Sequence, residues 1–175
     1  QPLFMMFTPY AVHGPTTPAP RHVGTATVGP FLSPSVNEPD VSDKPPWVAD
    51  LPTEPIDLIT QLRRNTQETL LSVDEAIAAL LDAFKQHRDL DDTLVIFTSD
   101  NGHLWGEHRL RGKNMSYNVS SRVPLAMRWP GHLEPGSEDR RLALNVDVTA
   151  TIAEAAGVPL PSEIEGMSLL GSTQR

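Results

Sequence analysis

One stretch limits the fold of this chain more than any other: the apolar run TLVIFTS at residues 93–99, which leads directly into the polar sequence DNGHLWGEHRLRGK. A continuous run of β-branched and aromatic residues is typical of a strand buried on both faces in the centre of a parallel sheet. The stretch before it, ITQLRRNTQETLLSVDEAIAALLDAFKQHRDL, has the spacing of an amphipathic helix. A helix followed by a buried strand indicates an α/β fold.

Further elements follow the same pattern. In the predicted helix before the strand, apolar residues recur at steps of three and four, which places them on the side that covers a sheet: Leu70, Val73, Ile77, Leu80, Leu81 and Phe84. PLAMRW at residues 124–129 predicts another short strand. NVDVTATIAEAAGV at residues 145–158 predicts a helix with Asp147 or Thr149 near its start and Gly157 at its end.

The first 55 residues combine an apolar run with a proline-rich segment. PLFMMFTPY predicts a buried strand over residues 2–8. Residues 11–55 hold most of the 17 prolines. Because proline lacks a backbone donor and fixes φ, we expect residues 11–55 to form a long loop excursion within the domain.

Composition excludes several classes of function. The 14 basic and 22 acidic residues give a formal charge of -8, which disfavours non-specific binding to nucleic acid and to anionic membrane surfaces. No apolar run approaches the roughly 20 residues of a membrane helix. The chain has no cysteine, which excludes disulfides, thiolate metal sites and a cysteine nucleophile within these residues. We therefore expect neither a nucleic-acid partner nor membrane insertion.

Polar residues follow the strand at residues 93–98 at the end where ligands collect in open α/β sheets. Asp100 and Asn101 supply a carboxylate and an amide, hard oxygen ligands that suit Ca²⁺ or Mg²⁺ better than zinc. Gly102 would let the backbone turn away sharply. Asp-Asn-Gly is also a common turn sequence, so the tripeptide alone leaves a simple turn open.

Four segments, in order, resemble the sulfatase family. PYAVHGPTTPAPRH, LLSVDEAIAALLDAF, TLVIFTSDNGHLWGEHRLRGKNMSYNVSSRVPLAMRWPG and NVDVTATIAEAAGV with EGMSLL are similar to the later part of the family's catalytic domain. PAPRH is similar to sulfatases that act on sulfated amino sugars, such as N-acetylglucosamine-6-sulfatases. The resemblance implies that residues 1–175 are a partial catalytic domain, a fragment of an alkaline-phosphatase-like three-layer α/β/α sandwich with a mainly parallel sheet.

The resemblance also implies roles for individual residues. Asp100 and Asn101 match two of the family's calcium ligands. Lys113 and His13 match catalytic residues that contact the sulfate, with the histidine near the leaving oxygen. His103 and His108 could line the substrate pocket, although a turn histidine satisfied by a carbonyl is the plainer interpretation of His108. The implied partner is a small-molecule or glycan sulfate ester.

The sequence departs from the family in two ways. The family's nucleophile is a formylglycine made within a Cys/Ser-x-Pro-x-Arg segment, and no such segment occurs here. The paired aspartates that complete the calcium site are also absent. We therefore expect a truncated sulfatase with an incomplete Ca²⁺ site, inactive by itself. The family's location implies a periplasmic, secreted or lysosomal protein.

Two alternatives remain open at this point. Phosphodiesterases and phosphonate hydrolases share the same fold, and metal–oxygen chemistry alone does not separate them from sulfatases. Asn101 favours a sulfatase because the related phosphate enzymes commonly place histidine at this position, a ligand that suits zinc or manganese. The second alternative is a non-catalytic truncated module that only binds anions or a partner chain.

Overall fold

The structure, a computed structural model, describes residues 3–87 and 90–171 and contains helices and short strands. The helices are α1 (Pro46–Ala49), α2 (Ile56–Gln86), α3 (Asn118–Ser121) and α4 (Asn145–Ala155), with a short 3₁₀ helix at Pro20–His22. The strands are β1 (Val95–Thr98), β2 (Leu104–Trp105), β3 (Arg111–Gly112) and β4 (Leu125–Arg128). Among the described residues, no helix combines the length and apolar character that crossing a membrane requires.

The chain forms two compact units. We call residues 6–83 and 101–123 the hairpin unit, because they include β2 and β3. We call the described parts of residues 3–5, 84–100 and 124–171 the strand unit, because they include β1 and β4. The proline-rich segment and most of α2 belong to the hairpin unit, whereas α4 belongs to the strand unit.

The strand predicted at residues 93–98 forms as β1, but its pairing differs from the prediction. It pairs antiparallel with β4, with Val95 opposite Arg128 and Thr98 opposite Leu125. Phe97 is 49% exposed, so β1 is not buried on both faces. An apolar run indicates burial, but it encodes neither the direction of the neighbouring strand nor its identity. The expected mainly parallel sheet is therefore not seen in the described residues.

In the strand unit, α4 is fixed by two buried polar side chains. The Asp147 carboxylate, 1% exposed, accepts hydrogen bonds from the backbone N–H of Leu144 at 2.7 Å and of Met167 at 2.8 Å. The Thr151 hydroxyl, fully buried, accepts from the Leu169 N–H at 3.0 Å. The prediction of Asp147 near the start of this helix is confirmed, since the carboxylate satisfies a backbone donor at the helix start.

The hairpin unit has a small apolar core next to its polar loop. Val48 of α1 and Leu104 of β2 are fully buried, and Leu110 is 6% exposed. Leu51, Met115 and Tyr117 pack against these three side chains. Because Leu104 points into this core, the neighbouring residues of β2 point to its other face. The core therefore sets the orientation of the polar residues around Leu104.

The proline-rich segment has little regular structure, and α2 binds part of it. The buried carboxylate of Glu68 accepts from the backbone N–H of Gly24 at 2.9 Å and of Ala26 at 3.3 Å. Two turns of helix further on, Glu75 accepts from the Arg21 guanidinium at 3.0 Å. Two acidic residues of one helix therefore bind residues 21–26 of the excursion.

The strand predicted at residues 2–8 does not form in the described residues 3–8, which have no regular secondary structure. Pro2 lies outside the described residues. Five large apolar side chains in this segment are exposed: Leu3, Phe4, Met5, Met6 and Phe7. A strand needs a partner for its backbone groups, and an apolar sequence alone does not supply one.

Candidate functional site

The polar residues that follow β1 are displayed by a two-stranded hairpin, β2–β3. Leu104 lies opposite Gly112, and Trp105 lies opposite Arg111. His103 and Lys113 occupy the next positions on the two strands, so the register brings them close together. Both residues were predicted from the sequence to belong to one site. The hairpin explains how side chains ten positions apart come to share a face.

Before the hairpin, Gly102 allows two backbones to approach closely. Its N–H donates to Ser120 O at 2.8 Å, and a Cβ at this position would lie 2.0 Å from Val119 O. Its φ is outside the left-handed region, so close approach rather than a sharp turn requires the glycine. The amide nitrogen of Asn101 donates to Gly102 O at 2.8 Å, which fixes the plane of the Asn101 side chain.

The turn between β2 and β3 adopts left-handed conformations and is built around a buried carboxylate. Gly106 has φ of 101°, and a Cβ there would lie 2.7 Å from Ile59 Cδ1 on α2. His108 and Arg109 have φ of 55° and 59°. Glu107, 3% exposed, accepts a hydrogen bond from the Trp105 backbone N–H with its carboxylate. Such positive φ values in non-glycine residues persist where the surrounding contacts enforce them.

His108 at the turn is bound by side chains from two other segments. Its Nδ1 donates to Glu38 Oε1 at 2.8 Å, and its ring stacks on Tyr117 with centroids 4.2 Å apart. Lys44 Nζ lies 3.2 Å from the same carboxylate oxygen. Burial alone would raise the pKa of Glu38, but the hydrogen bonds from His108 and Lys44 outweigh burial and lower the pKa. Glu38 therefore stays ionised between two donors.

Arg109 links the β2–β3 turn to the proline-rich segment through side-chain hydrogen bonds. Its guanidinium donates to the backbone carbonyls of Ala49 at 3.3 Å, Leu51 at 3.2 Å and Glu38 at 3.3 Å. These carbonyls follow or flank α1. Because guanidinium is a rigid planar donor, one side chain satisfies several loop carbonyls at once. The hairpin and residues 38–51 are thereby held together.

His103 lies among charged groups on the β2–β3 hairpin. Partial burial is the largest effect and lowers the pKa of His103; Glu107 raises the pKa, and the nearby positive charges of Lys113 and Arg111 lower it further. The net direction favours the neutral imidazole at neutral pH. A neutral ring can accept a hydrogen bond at one nitrogen and donate one at the other. The hairpin register, which pairs Leu104 with Gly112, places Lys113 opposite His103.

His13 lies in the hairpin unit on the proline-rich segment, within a local cluster. Its Nδ1 lies 3.1 Å from Tyr10 Oη and 2.9 Å from Gly14 O. The Tyr10 hydroxyl donates to Gly14 O at 2.8 Å. The ring is exposed, and its orientation is set by these neighbouring residues. The structure gives His13 no contact with Lys113 among its described interactions, and its predicted role in a shared site stays a prediction.

Asp100 is the last residue of its segment in the strand unit. Asn145, the first residue of α4, donates from Nδ2 to the backbone carbonyls of Ser99 at 3.3 Å and Asp100 at 3.2 Å. These bonds fix the end of β1, and the Ser99 hydroxyl donates to Asp100 Oδ1 at 3.4 Å. Within the described ranges, no cluster of three or more His, Asp or Glu residues could hold a metal ion. Asp100 and Asn101 therefore remain a predicted pair of ligands.

Several residues that organise the site could not be identified from the sequence. Glu38 and Tyr117 contact His108, and Glu38 lies 70 positions before it. Arg109 stood within the motif, but its loop carbonyl partners are 58 and 60 positions away. The proline content of residues 11–55 marks a loop, but nothing in that stretch marks which residue reaches the hairpin.

Comparison with known proteins decides the family. A family model described as Sulfatase matches residues 1–158. The chain belongs to the sulfatase family. The prediction made from the four sequence segments is confirmed.

Curated sulfatases of different kinds are similar to this sulfatase chain. An N-acetylglucosamine-6-O-sulfatase of Bacteroides thetaiotaomicron is 38% identical over 109 residues, which cover 62% of this chain and 20% of that protein. The human N-acetylglucosamine-6-sulfatase is 31% identical over 177 residues, covering 97% of this chain and 32% of that protein. An arylsulfatase of Volvox carteri is 36% identical over 154 residues, 82% of this chain and 24% of that protein. The sulfatase chain thus spans a fifth to a third of the length of these relatives.

Solved structures show a related fold. One protein, solved in complex with its substrate D-glucosamine-2-N,6-O-disulfate, has a TM-score of 0.63 and 33% identity, covering 73% of this chain and 28% of that chain. A phosphonate monoester hydrolase from Silicibacter pomeroyi has a TM-score of 0.62 and 27% identity, covering 78% of this chain and 26% of that chain. The sulfatase chain is therefore a mixed α/β piece of a fold that also occurs in phosphonate hydrolases.

Proposed function

We propose that the protein is a sulfuric ester hydrolase, a sulfatase, in a polypeptide longer than these 175 residues. The observation that carries this proposal is the family match over residues 1–158. The hairpin supports it, because β2 and β3 bring His103 and the sulfate-contacting candidate Lys113 to neighbouring positions. A cation beside a hydrogen-bonding imidazole is suited to an anionic ester group.

Asp100 and Asn101 would contribute to a calcium site. The donor set fits this ion, because carboxylate and amide oxygens are hard ligands and no thiolate is present. Two such ligands do not fill the six to eight positions that Ca²⁺ takes, and paired aspartates elsewhere in the longer protein would supply the others. A bound calcium ion would stabilise negative charge on the sulfate oxygens.

Lys113 and His13 would act on the sulfate ester directly. Cleavage of the ester bond moves negative charge onto the leaving oxygen, and a positioned ammonium group stabilises that charge. The His13 imidazole would donate the proton that the leaving alcohol needs. The Tyr10 hydroxyl and Gly14 carbonyl beside Nδ1 would hold the ring for this transfer. His103 and His108 would line the pocket.

The nucleophile would come from outside these residues. The 175 residues contain no cysteine and no Cys/Ser-x-Pro-x-Arg sequence, so a formylglycine would have to be carried by another segment of the longer protein. We further propose that the same missing part completes a three-layer, mainly parallel α/β/α sandwich around β1 and β4. The 175-residue chain alone would then be inactive.

A sulfated amino sugar is the substrate that we propose. Two of the curated relatives are N-acetylglucosamine-6-sulfatases, and the similar solved structure contains a disulfated glucosamine as its substrate. An exported or lysosomal location would bring the enzyme to such glycans. An aryl sulfate remains a useful general probe, because an arylsulfatase is also among the relatives.

Phosphonate ester hydrolysis is the alternative that a specific observation favours, namely the similarity to the Silicibacter pomeroyi enzyme. Asn101 argues against it, because an amide oxygen favours calcium over the zinc or manganese that a histidine would favour. Activity of metal-stripped full-length enzyme after addition of Ca²⁺ or Zn²⁺ separates the two reactions.

The decisive experiment uses the full-length protein with 4-nitrophenyl sulfate, N-acetylglucosamine 6-sulfate and a phosphonate monoester. We expect calcium-dependent hydrolysis of both sulfates and slower hydrolysis of the phosphonate. Lys113→Ala should lower kcat/KM for the sulfates by about 100- to 1,000-fold, because it removes a donor from the developing charge. Lys85→Ala, at an exposed lysine of α2, is the matched control and should retain activity.

Three outcomes would contradict the proposal. Zinc-dependent turnover of the phosphonate in preference to the sulfates would support the alternative reaction. Equal losses of kcat/KM in the Lys113 and Lys85 variants would show that Lys113 has no specific role in the reaction. The absence of activity toward every ester, in a folded full-length protein, would support a non-catalytic module.

A further inference from the structure

One face of the β2–β3 hairpin carries four side chains with a common chemical character. Trp105 lies opposite Arg111, and His103 and Lys113 occupy the next opposing positions. Because residues two apart on a strand share a face, all four side chains lie on the same side. The other face is apolar: Leu104 is fully buried there in the core of the hairpin unit. We call His103, Trp105, Arg111 and Lys113 together the hairpin face.

Contacts within the hairpin face agree with this arrangement. The rings of His103 and Trp105 have centroids 4.4 Å apart and are tilted by 48°. The positive charges of Arg111 and Lys113 both lie close enough to His103 to act on it. Two cations and two aromatic rings therefore occupy one small surface. No other pair of antiparallel partners in the described residues combines an indole with a guanidinium.

The acidic residues nearby leave part of this positive charge available. Glu107 is buried, and its carboxylate accepts the Trp105 backbone N–H. Glu54 Oε2 lies 3.4 Å from Arg111 Nη1, at the long limit of a hydrogen bond, and the Arg111 side chain is 42% exposed. The Glu54 side chain is 22% exposed. This one contact uses a single N–H of the guanidinium, which has five N–H donors in total. Arg111 can therefore bind a second anion.

We propose that Trp105 and Arg111 form a subsite, next to Lys113, for the sugar ring and a second anionic group of a sulfated amino sugar. This inference rests on the proposed sulfatase function, and it adds residues to which no role has been given. The indole would pack against the apolar face of the pyranose ring. The guanidinium fork would bind a sulfate or carboxylate through two parallel hydrogen bonds.

Charge complementarity favours this occupant over an uncharged one. The chain carries a formal charge of -8, yet the hairpin face brings Arg111 and Lys113 together on one side of a short hairpin. Lys113 is already assigned to the ester sulfate in the proposed function. Arg111, two residues before it in the chain, would then be available for a second negative group of the ligand. A doubly anionic sugar would therefore bind more tightly than a singly anionic one.

The test compares two sugars in the full-length enzyme: glucosamine 6-sulfate and the same sugar with an additional N-sulfate. Arg111→Gln should raise KM for the disulfated sugar about tenfold, which corresponds to the loss of one charge-assisted hydrogen bond pair. KM for 4-nitrophenyl sulfate and kcat for all substrates should stay within about twofold, since the variant leaves the ester site intact. Arg140→Gln, at an exposed arginine of the strand unit, is the control.

Trp105 is tested separately, with Trp105→Phe as the conservative partner of Trp105→Ala. The alanine variant should raise KM for both sugars, and the phenylalanine variant should restore most of the loss. Far-ultraviolet circular dichroism and the melting temperature report whether each variant is folded. If Trp105→Ala unfolds the protein, the Phe variant and Arg111→Gln still decide the question.

The outcomes separate this inference from the proposed function. If the wild type hydrolyses sulfates but Arg111→Gln leaves KM for the disulfated sugar unchanged, or raises KM for the aryl sulfate equally, the subsite is wrong and the sulfatase proposal stands. If the wild type hydrolyses no sulfate, calorimetric titration with the disulfated sugar replaces kinetics. An affinity for the disulfated sugar about tenfold weaker in Arg111→Gln than in the wild type would then support the subsite. Equal affinity in the two proteins, or no binding to the wild type, would overturn it.

Discussion

Glu38 is the single residue that most clearly connects the proline-rich segment to the hairpin. Its carboxylate accepts from His108 Nδ1 at 2.8 Å and lies 3.2 Å from Lys44 Nζ. Because a carboxylate only accepts hydrogen bonds, the proton of His108 must lie on Nδ1, and Nε2 is left as the other ring nitrogen. Glu38 thus sets the tautomer of a residue predicted to line the pocket.

A pH-dependent part of the stability follows from Glu38. Its pKa is lowered from the ordinary value of 4.5 in the folded state, so its contribution to stability is present above about pH 4.5 and is lost as the pH falls through the lower folded pKa. We expect the difference in melting temperature between wild type and Glu38→Gln to be largest near neutral pH and to shrink on acidification. Thermal denaturation of the full-length proteins across this pH range measures the difference.

Glu138→Gln is the control for this prediction, because Glu138 is exposed and lies in the strand unit. Its difference from wild type should stay small and constant with pH. A Glu38→Gln difference that is equally constant would show that the His108 and Lys44 contacts do not favour the ionised carboxylate.

At the scale of single residues, the sequence offered candidate site residues, but it did not reveal their contact partners. His103 and Lys113 were predicted to share a site, and the hairpin register places them side by side. For His108 the sequence left open a turn histidine satisfied by a carbonyl, and the observed partner is the carboxylate of Glu38. Contacts over 70 positions depend on tertiary packing, and local spacing cannot reveal them.

At the scale of elements, α2 binds residues 21–26 of the proline-rich segment through two glutamates. Glu68 is 3% exposed and accepts two backbone N–H groups, whereas Glu75 makes an exposed ion pair with Arg21. Removing a buried carboxylate that accepts two backbone hydrogen bonds costs more than removing an exposed ion pair, because two donors lose their partner and the space that the side chain filled is left empty. The two glutamates therefore form a matched pair for experiment.

We expect Glu68→Ala to lower the free energy of unfolding by about 1–3 kcal/mol and to speed proteolytic cleavage in residues 20–26. Glu75→Ala should cost less than about 1 kcal/mol. Chemical denaturation and limited proteolysis of the full-length variants measure both effects. Equal effects of the two substitutions would mean that Glu68 does not hold the segment.

Elements with strong periodicity were predicted well, and those that depend on partners were not. The periodic helix and the helix at residues 145–158 appear as α2 and α4, and the strands at residues 93–98 and 124–129 appear as β1 and β4. The antiparallel pairing of β1 with β4 and the irregular structure of residues 3–8 differ from the predictions. Hydrophobic pattern reports how buried an element would be, while pairing depends on which other strands are present.

At the scale of the whole molecule, the exposed segment at residues 3–7 affects solubility. Its five apolar side chains are between 45% and 74% exposed, and a contiguous apolar patch favours association. We expect the isolated 175-residue chain to form oligomers, detected by light scattering coupled to size-exclusion chromatography. Phe4→Lys combined with Met6→Lys should reduce the association.

Leu32→Lys is the control for this prediction, because Leu32 is 75% exposed but lies outside the segment. It should leave the association unchanged. A monodisperse wild-type monomer of 19.2 kDa would show that residues 3–7 do not cause association.

The polar bonds of α4 reach beyond the residues that the Sulfatase family model matches. That match ends at residue 158, yet the buried Asp147 and Thr151 accept hydrogen bonds from the backbone of Met167 and Leu169. Ending the polypeptide at residue 158 would remove the Met167 and Leu169 donors from a buried carboxylate and a buried hydroxyl, and the loss of hydrogen bonds to buried polar groups is costly. Anyone who shortens this protein should therefore follow its hydrogen bonds and keep residues 159–171.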